Sequence, residues 1–175
     1  MKERLNELAQ EIGQWAERNF KVLAPDLGML EETGELTHCF LKRAQGIRGY
    51  DDPVKFITDA KDAICDIAVY DLHYSFMDGV SFESNPNCRP GLDLSMIYGV
   101  RRILGLLSSD VSRIVGGQVL RGGRHLSLFV LDHLVTISEA LEFDFMESLN
   151  QTWEKVSKRD WVENPTNANV IAESR

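Results

Sequence analysis

The chain has 175 residues, 43% of them hydrophobic and 26% charged, which fits one soluble globular domain with a sizeable buried core. Its 27 acidic and 19 basic residues give a net charge of −8, which argues against general nucleic-acid binding, where a basic surface is needed. No apolar run approaches the roughly 18 residues of a bilayer span, and Met1-Lys2-Glu3-Arg4 leads into a helix with no apolar signal core. The expectation is a cytoplasmic protein with no membrane partner.

Leu5, Leu8, Ile12, Trp15 and Ala16 recur at helical spacing and predict a first helix ending near Phe20. Pro25-Asp26 opens a second, which runs to about Ala44 and stops near Gly46. Its apolar residues form two stripes, Leu27/Leu30/Leu41 and Met29/Leu36/Phe40, with Glu31, Glu32, Glu35, His38 and Lys42 between them. Surface helices usually carry one stripe, so this helix is expected to pack on both flanks and leave an acidic strip over. After a Gly-rich connector, Asp51-Asp52-Pro53 starts a third helix carrying Phe56, Ile57, Ala60, Ile64, Ile67, Ala68 and Leu72 to about Asp78-Gly79. Ser81 to Gly91 reads as loop, Leu92 to Val115 as a fourth helix, Leu126 to Glu142 as a fifth and Phe145 to Lys158 as a sixth. Arg121-Gly122-Gly123-Arg124 lacks the Lys-Ser/Thr of a phosphate loop and reads as a turn. Residues 162–175 read as a polar tail behind a core of residues 3–160. The prediction is a single all-α domain, a bundle of five to six helices. Cys39, Cys65 and Cys88 are odd in number and lack metal spacing, and the first two read as small core residues in a reduced protein.

Two acidic clusters carry the chemistry. In Glu31-Glu32-Thr33-Gly34-Glu35 the helical spacing turns Glu32 and Glu35 to one face, and in Asp62-Ala63-Ile64-Cys65-Asp66 it does the same for Asp62 and Asp66. Four carboxylates facing one another repel unless a cation sits among them. Oxygen-only ligands suit Mg²⁺ or Mn²⁺, and Mg²⁺ commonly arrives with a substrate phosphate. Either cluster alone also fits a solvated helix face. His38 follows Glu35 by three residues, a spacing seen in di-iron bundles, but these need a second such pair. His73, His125 and His133 all lack an acid three residues earlier.

Glu32-Thr33-Gly34-Glu35 resembles the first half of the ExxE…ExxD signature of the all-α nucleoside triphosphate pyrophosphohydrolases, and of their MazG-like branch in particular. Trp15, the run His38-Cys39-Phe40-Leu41-Lys42, the connector Gln45-Gly46-Ile47-Arg48-Gly49, the stretch Asp62 to Ile67 and the ending Thr152 to Trp161 are similar to that branch. The likeness covers about residues 10–75 and 148–162. Two positions depart from it: Ala63 stands where the second motif has glutamate, so Asp62 would supply that carboxylate, and Cys65 stands where glycine is usual.

The resemblance implies a four-helix metal-binding core and Mg²⁺-dependent hydrolysis of a nucleoside triphosphate to monophosphate and pyrophosphate. Glu32, Glu35, Asp62 and Asp66 would be the metal ligands, with Mn²⁺ as an alternative ion. Glu31, Glu32 and Glu35 would form the catalytic set, with Glu31 either the base for water or a support behind the metal ligands. His38, Lys42, Arg48, Trp15, Lys155 and Arg159, with Lys158 nearby, would meet the nucleotide. Trp15, Phe40 and Tyr70 are aromatic candidates for stacking on the base, although aromatics at helical spacing are more often core. The family also implies a homodimer or homotetramer, and long apolar stretches such as 92–115 exceed what a small bundle covers alone. The alternative is a helical interaction protein that kept the fold without activity, with Ala63 and Cys65 as marks of that loss.

Overall fold

The computed structural model describes residues 1–82, 97–122 and 124–165. Among them run six α-helices: α1 (Lys2–Asn19), α2 (Pro25–Gln45), α3 (Pro53–Met77), α4 (Ile97–Val115), α5 (Leu126–Ala140) and α6 (Phe145–Val156). The all-helical reading therefore holds. The start of the fourth helix at 92–96, most of the 81–91 loop, Cys88 and the tail from 166 lie outside the described residues.

Local chemistry sets the helix ends. Asp52 caps α3 by accepting from the Val54 N–H at 2.8 Å, with Pro53 following at the first helical position. Asp144 caps α6 by accepting from the Glu147 N–H at 2.8 Å. Gly46 ends α2 in the left-handed conformation (φ 62°), which glycine adopts without steric cost.

Helix α3 is the axis of the bundle, packing against α1, α2, α5 and α6, while α4 lies against α2 and α5. One continuous apolar core joins Leu5, Leu8 and Ile12 of α1, Leu36 of α2, Ile64 and Ile67 of α3, Leu107 of α4 and Leu131 and Leu134 of α5. Phe82, just beyond α3, is fully buried, and its N–H donates to Asn6 Oδ1 at 2.9 Å.

Two expectations are corrected here. Helix α2 packs on one flank only: Met29 and Leu36 are buried, but Leu27, Leu30 and Leu41 are 57%, 42% and 48% exposed, because α3 and α4 meet the other side of the helix. The apolar face of α4 is covered within the chain, with Ile103, Leu107, Val111 and Ile114 buried. The uncovered surface is on α2 instead. The Arg121–Arg124 segment is a turn as expected, and it closes a short antiparallel hairpin, β1 (Leu120–Arg121) with β2 (Arg124–His125).

That hairpin is fastened by charge. Arg121 donates to Asp110 Oδ1 at 3.1 Å and Arg124 to Asp132 Oδ2 at 2.6 Å, and both guanidinium groups lie over the Phe129 ring. Asp110 is fully buried and also pairs with His133 Nε2 at 3.1 Å.

Candidate functional site

The α2–α3 seam carries both acidic clusters, and its geometry divides them between two hollows. The first is an open groove of about 620 Å³ lined by Glu31, Gly34, Glu35, His38, Asp59 and Asp62, with Cys39 and Tyr50 in its wall. The second, of about 120 Å³, is lined by Glu32 and Asp66 together with Trp15, Phe20, Tyr70, Arg159 and Trp161. Each acidic motif contributes to both, so the pairs expected to share a face are divided: Glu35 and Asp62 line the groove, while Glu32 and Asp66 line the pocket.

Electrostatics couples the two. Burial raises the Glu32 carboxyl to about 7, and the charges of Asp66, Glu35, Glu31 and Asp62 push the same way. Asp66 is raised to about 6, again by burial first and then by Asp62, while Arg159 opposes the shift. The motif carboxylates thus form one interacting set, with Arg159 the cation that acts on it. Among the described residues, no three His, Cys, Asp or Glu side chains are grouped so as to hold a metal ion. The donor set is nonetheless the one that hard divalent cations take, oxygen ligands carrying unrelieved negative charge.

Ala63, at the position where the resemblance leads one to look for glutamate, is buried in the core, whereas Asp62 lines the groove. A glutamate at 63 would have to enter the apolar interior, so on this backbone Asp62 is the carboxylate available. Cys65 is fully buried, and its thiol is pushed up to about 11 chiefly by desolvation. That fits packing rather than reactivity.

Trp15 and Arg159 come together directly: the indole Nε1–H donates to the Arg159 carbonyl at 3.2 Å. Trp15 also meets Phe20 edge-on at 5.4 Å between ring centres, and Phe20 lies 6.2 Å from Trp161. Tyr70 closes the pocket, and its hydroxyl pKa is raised by burial and then by Glu32 and Asp66. His38 borders the acidic groove, 6.3 Å from the Tyr50 ring.

Other expected contacts do not form. Lys42 donates to Gln45 Oε1 at 3.2 Å and stays outside both hollows, as do Arg48 and Lys155. Phe40 packs edge-on against Phe56 at 5.0 Å, away from the carboxylates. Arg48 is instead notable for its backbone, a non-glycine residue at φ 58°.

The groove wall holds a cluster that the motifs did not announce. Lys55 Nζ pairs with Asp59 Oδ2 at 2.6 Å and lies 4.6 Å above the Tyr50 ring. A hydrogen bond to Asp59, followed by burial, raises the Tyr50 hydroxyl pKa, and Cys39 Sγ lies 3.8 Å from that hydroxyl. The i, i+4 spacing of Lys55 and Asp59 is readable in sequence. Their meeting with Tyr50 depends on how the connector folds back, which Arg43 secures by donating to the Tyr50 and Asp51 carbonyls.

The chain defines an all-α bundle with an acidic groove beside an aromatic pocket. No family model, curated protein or solved structure matches it. No described helix is long and apolar enough to cross a membrane.

Proposed function

We propose that the chain hydrolyses a nucleoside triphosphate to the monophosphate and pyrophosphate with Mg²⁺, the site lying along the α2–α3 seam. One observation supports this reading above the others. The interacting carboxylates Glu32 and Asp66 form the acid end of a ring-sized pocket walled by Trp15, Phe20, Tyr70 and Trp161. Aromatic walls suit a base, and a clustered set of carboxylates suits a metal–phosphate group.

In this reading the base enters the aromatic pocket and the triphosphate lies across Glu32, Asp66 and the neighbouring groove. Glu32, Glu35, Asp62 and Asp66 would hold Mg²⁺, which supplies charge neutralisation and orients the phosphates. Glu31, on the groove wall, accepts the proton of a water directed at the α-phosphorus. The new bond is water oxygen to α-phosphorus, the bond broken is that to the α,β-bridging oxygen, and pyrophosphate leaves with the electron pair. In this reading Arg159, in the pocket lining, would stabilise that negative charge, and His38, in the groove lining, would hydrogen-bond a phosphate or sugar oxygen.

The test is pyrophosphate release across ribo- and deoxynucleoside triphosphates, with and without Mg²⁺, alongside Glu35→Gln. Mg²⁺-dependent release that the variant abolishes is the expected result. The second reading, an inactive helical interaction protein, draws on the separation of the carboxylates as they stand. Absence of turnover together with no Mg²⁺ effect on melting would favour it.

A further inference from the structure

The pocket beside the acidic groove joins two features that a neutral ring does not use together. Trp15, Phe20, Tyr70 and Trp161 wall it, and Glu32 and Asp66 share its lining. The rings lie in different planes: Trp15 meets Phe20 at 83°, and Phe20 meets Trp161 at 38°, so their faces point in more than one direction. Aromatic faces are negative and attract cations, those of tryptophan most strongly. Elsewhere the chain supplies such cations itself, with Lys55 over Tyr50, Lys61 over Phe143 and Arg121 over Phe129. Among the described residues, no side-chain cation lies over the rings of the pocket.

The carboxylates point to the same kind of ligand. Of the charges acting on Glu32, that of Asp66 is the strongest, so the two stand as a like-charged pair. Among the described residues, neither receives a hydrogen bond or forms an ion pair. Arg159 lines the pocket and acts on Asp66, but it is exposed, and one base against two acids leaves the pocket negative. A neutral ring would use the aromatic walls and leave the acids unrelieved. A metal ion would relieve the acids and leave the walls unused. An alkylated, positively charged nitrogen does both, since its carbon groups lie against the rings and its charge faces the acids.

We propose that this pocket binds an organic cation whose charge sits on an alkylated nitrogen, held by the aromatic walls and the Glu32–Asp66 pair. Two sources share that chemistry: a nucleobase made cationic by alkylation, and a small quaternary ammonium compound. The proposal rests on the pocket alone and goes beyond the hydrolysis reading. Joined to that reading, the first source makes alkylated nucleotides the preferred substrates.

Calorimetric titration of the full chain at pH 7.5 tests it, with Mg²⁺ left out because it would draw on the same carboxylates. Each of two probe pairs matches a cation to a neutral counterpart: 3-methylcytidine to cytidine, and choline to 3,3-dimethylbutan-1-ol. At least one cation should bind about tenfold or more tightly than its counterpart, and the pair that shows this names the source. Asp66→Asn and Trp161→Leu should each cut that preference to about threefold or less, with far-UV circular dichroism confirming that the variants fold. Glu147→Gln removes the same charge from an exposed position on α6 and should leave the preference intact. Three results would overturn the proposal: no cation preferred over its counterpart, a preference that survives either pocket variant, or one lost equally in Glu147→Gln. None of the probes carries a phosphate, so pyrophosphate release can fail while this binding stands, and the reverse.

Discussion

Gly28 of α2 lies against the ring of Tyr70 on α3, so closely that a Cβ at position 28 would overlap the ring. The glycine allows Tyr70 to stand beside Glu32 and Asp66 and form one wall of the aromatic pocket. Gly13 of α1 makes room for Phe76 in the same way, farther along α3.

Gly28→Ala should therefore displace Tyr70 and cost about 1–3 kcal/mol, the usual penalty of overpacking. Thermal denaturation measures the loss. In the proposed reaction the same variant should raise KM more than it lowers kcat, since the ring borders the base pocket and not the groove.

Mg²⁺ should stabilise the folded chain, and more strongly at pH 8 than at pH 6. Glu32 and Asp66, raised to about 7 and 6, bind protons in the folded state that they have lost when unfolded, so their contribution to stability falls as pH rises through that range. The ion replaces those protons. At a hundred times its dissociation constant, Mg²⁺ should raise Tm by roughly 5–10 °C. Glu32→Gln should raise the metal-free Tm at pH 8 and remove most of the Mg²⁺ response. Equal shifts at both pH values would count against the carboxylates as the binding site.

Asp71, on the face of α3 turned to α5, is wholly buried, and neither carboxylate oxygen has a hydrogen-bond partner. Desolvation drives its pKa well up, and Ser127 pulls the other way without completing a hydrogen bond. The acid is held neutral, so its folded pKa exceeds its unfolded one. Stability is full below the ordinary carboxylate range and declines as pH rises toward the folded pKa. Asp71→Asn should flatten that decline and stabilise the chain at pH 8 by about 1–3 kcal/mol, as urea titrations at pH 5 and 8 would show.

His133→Phe should be costly, about 3 kcal/mol, because it takes one of two partners from the fully buried Asp110. Replacing Asp110 by Leu in the same chain should recover much of the loss, since a buried pair exchanged for apolar groups is often neutral. Chemical denaturation of the two single variants and the double variant gives the coupling.

The sequence by itself determined the helices. Apolar spacing, Pro25 and Pro53 at first turns, and Gly46 past the end of α2 are local signals, and the observed bounds fall within a few residues of those they predict. It also set the direction of each carboxylate about its own helix axis, but the packing of α2 on α3 divided Glu35 and Asp62 from Glu32 and Asp66 between two hollows. Only the tertiary structure decided which flank of α2 is buried: the Leu27 and Met29 stripes read alike until α3 and α4 cover one of them. The same holds for Tyr50 reaching Asp59 across the connector, for Trp161 returning to the Phe20 edge, and for Asp71 being enclosed rather than solvated. Periodicity orients a side chain about its own helix axis. What stands opposite it depends on contacts between residues far apart in the chain, and those exist only once the helices have packed.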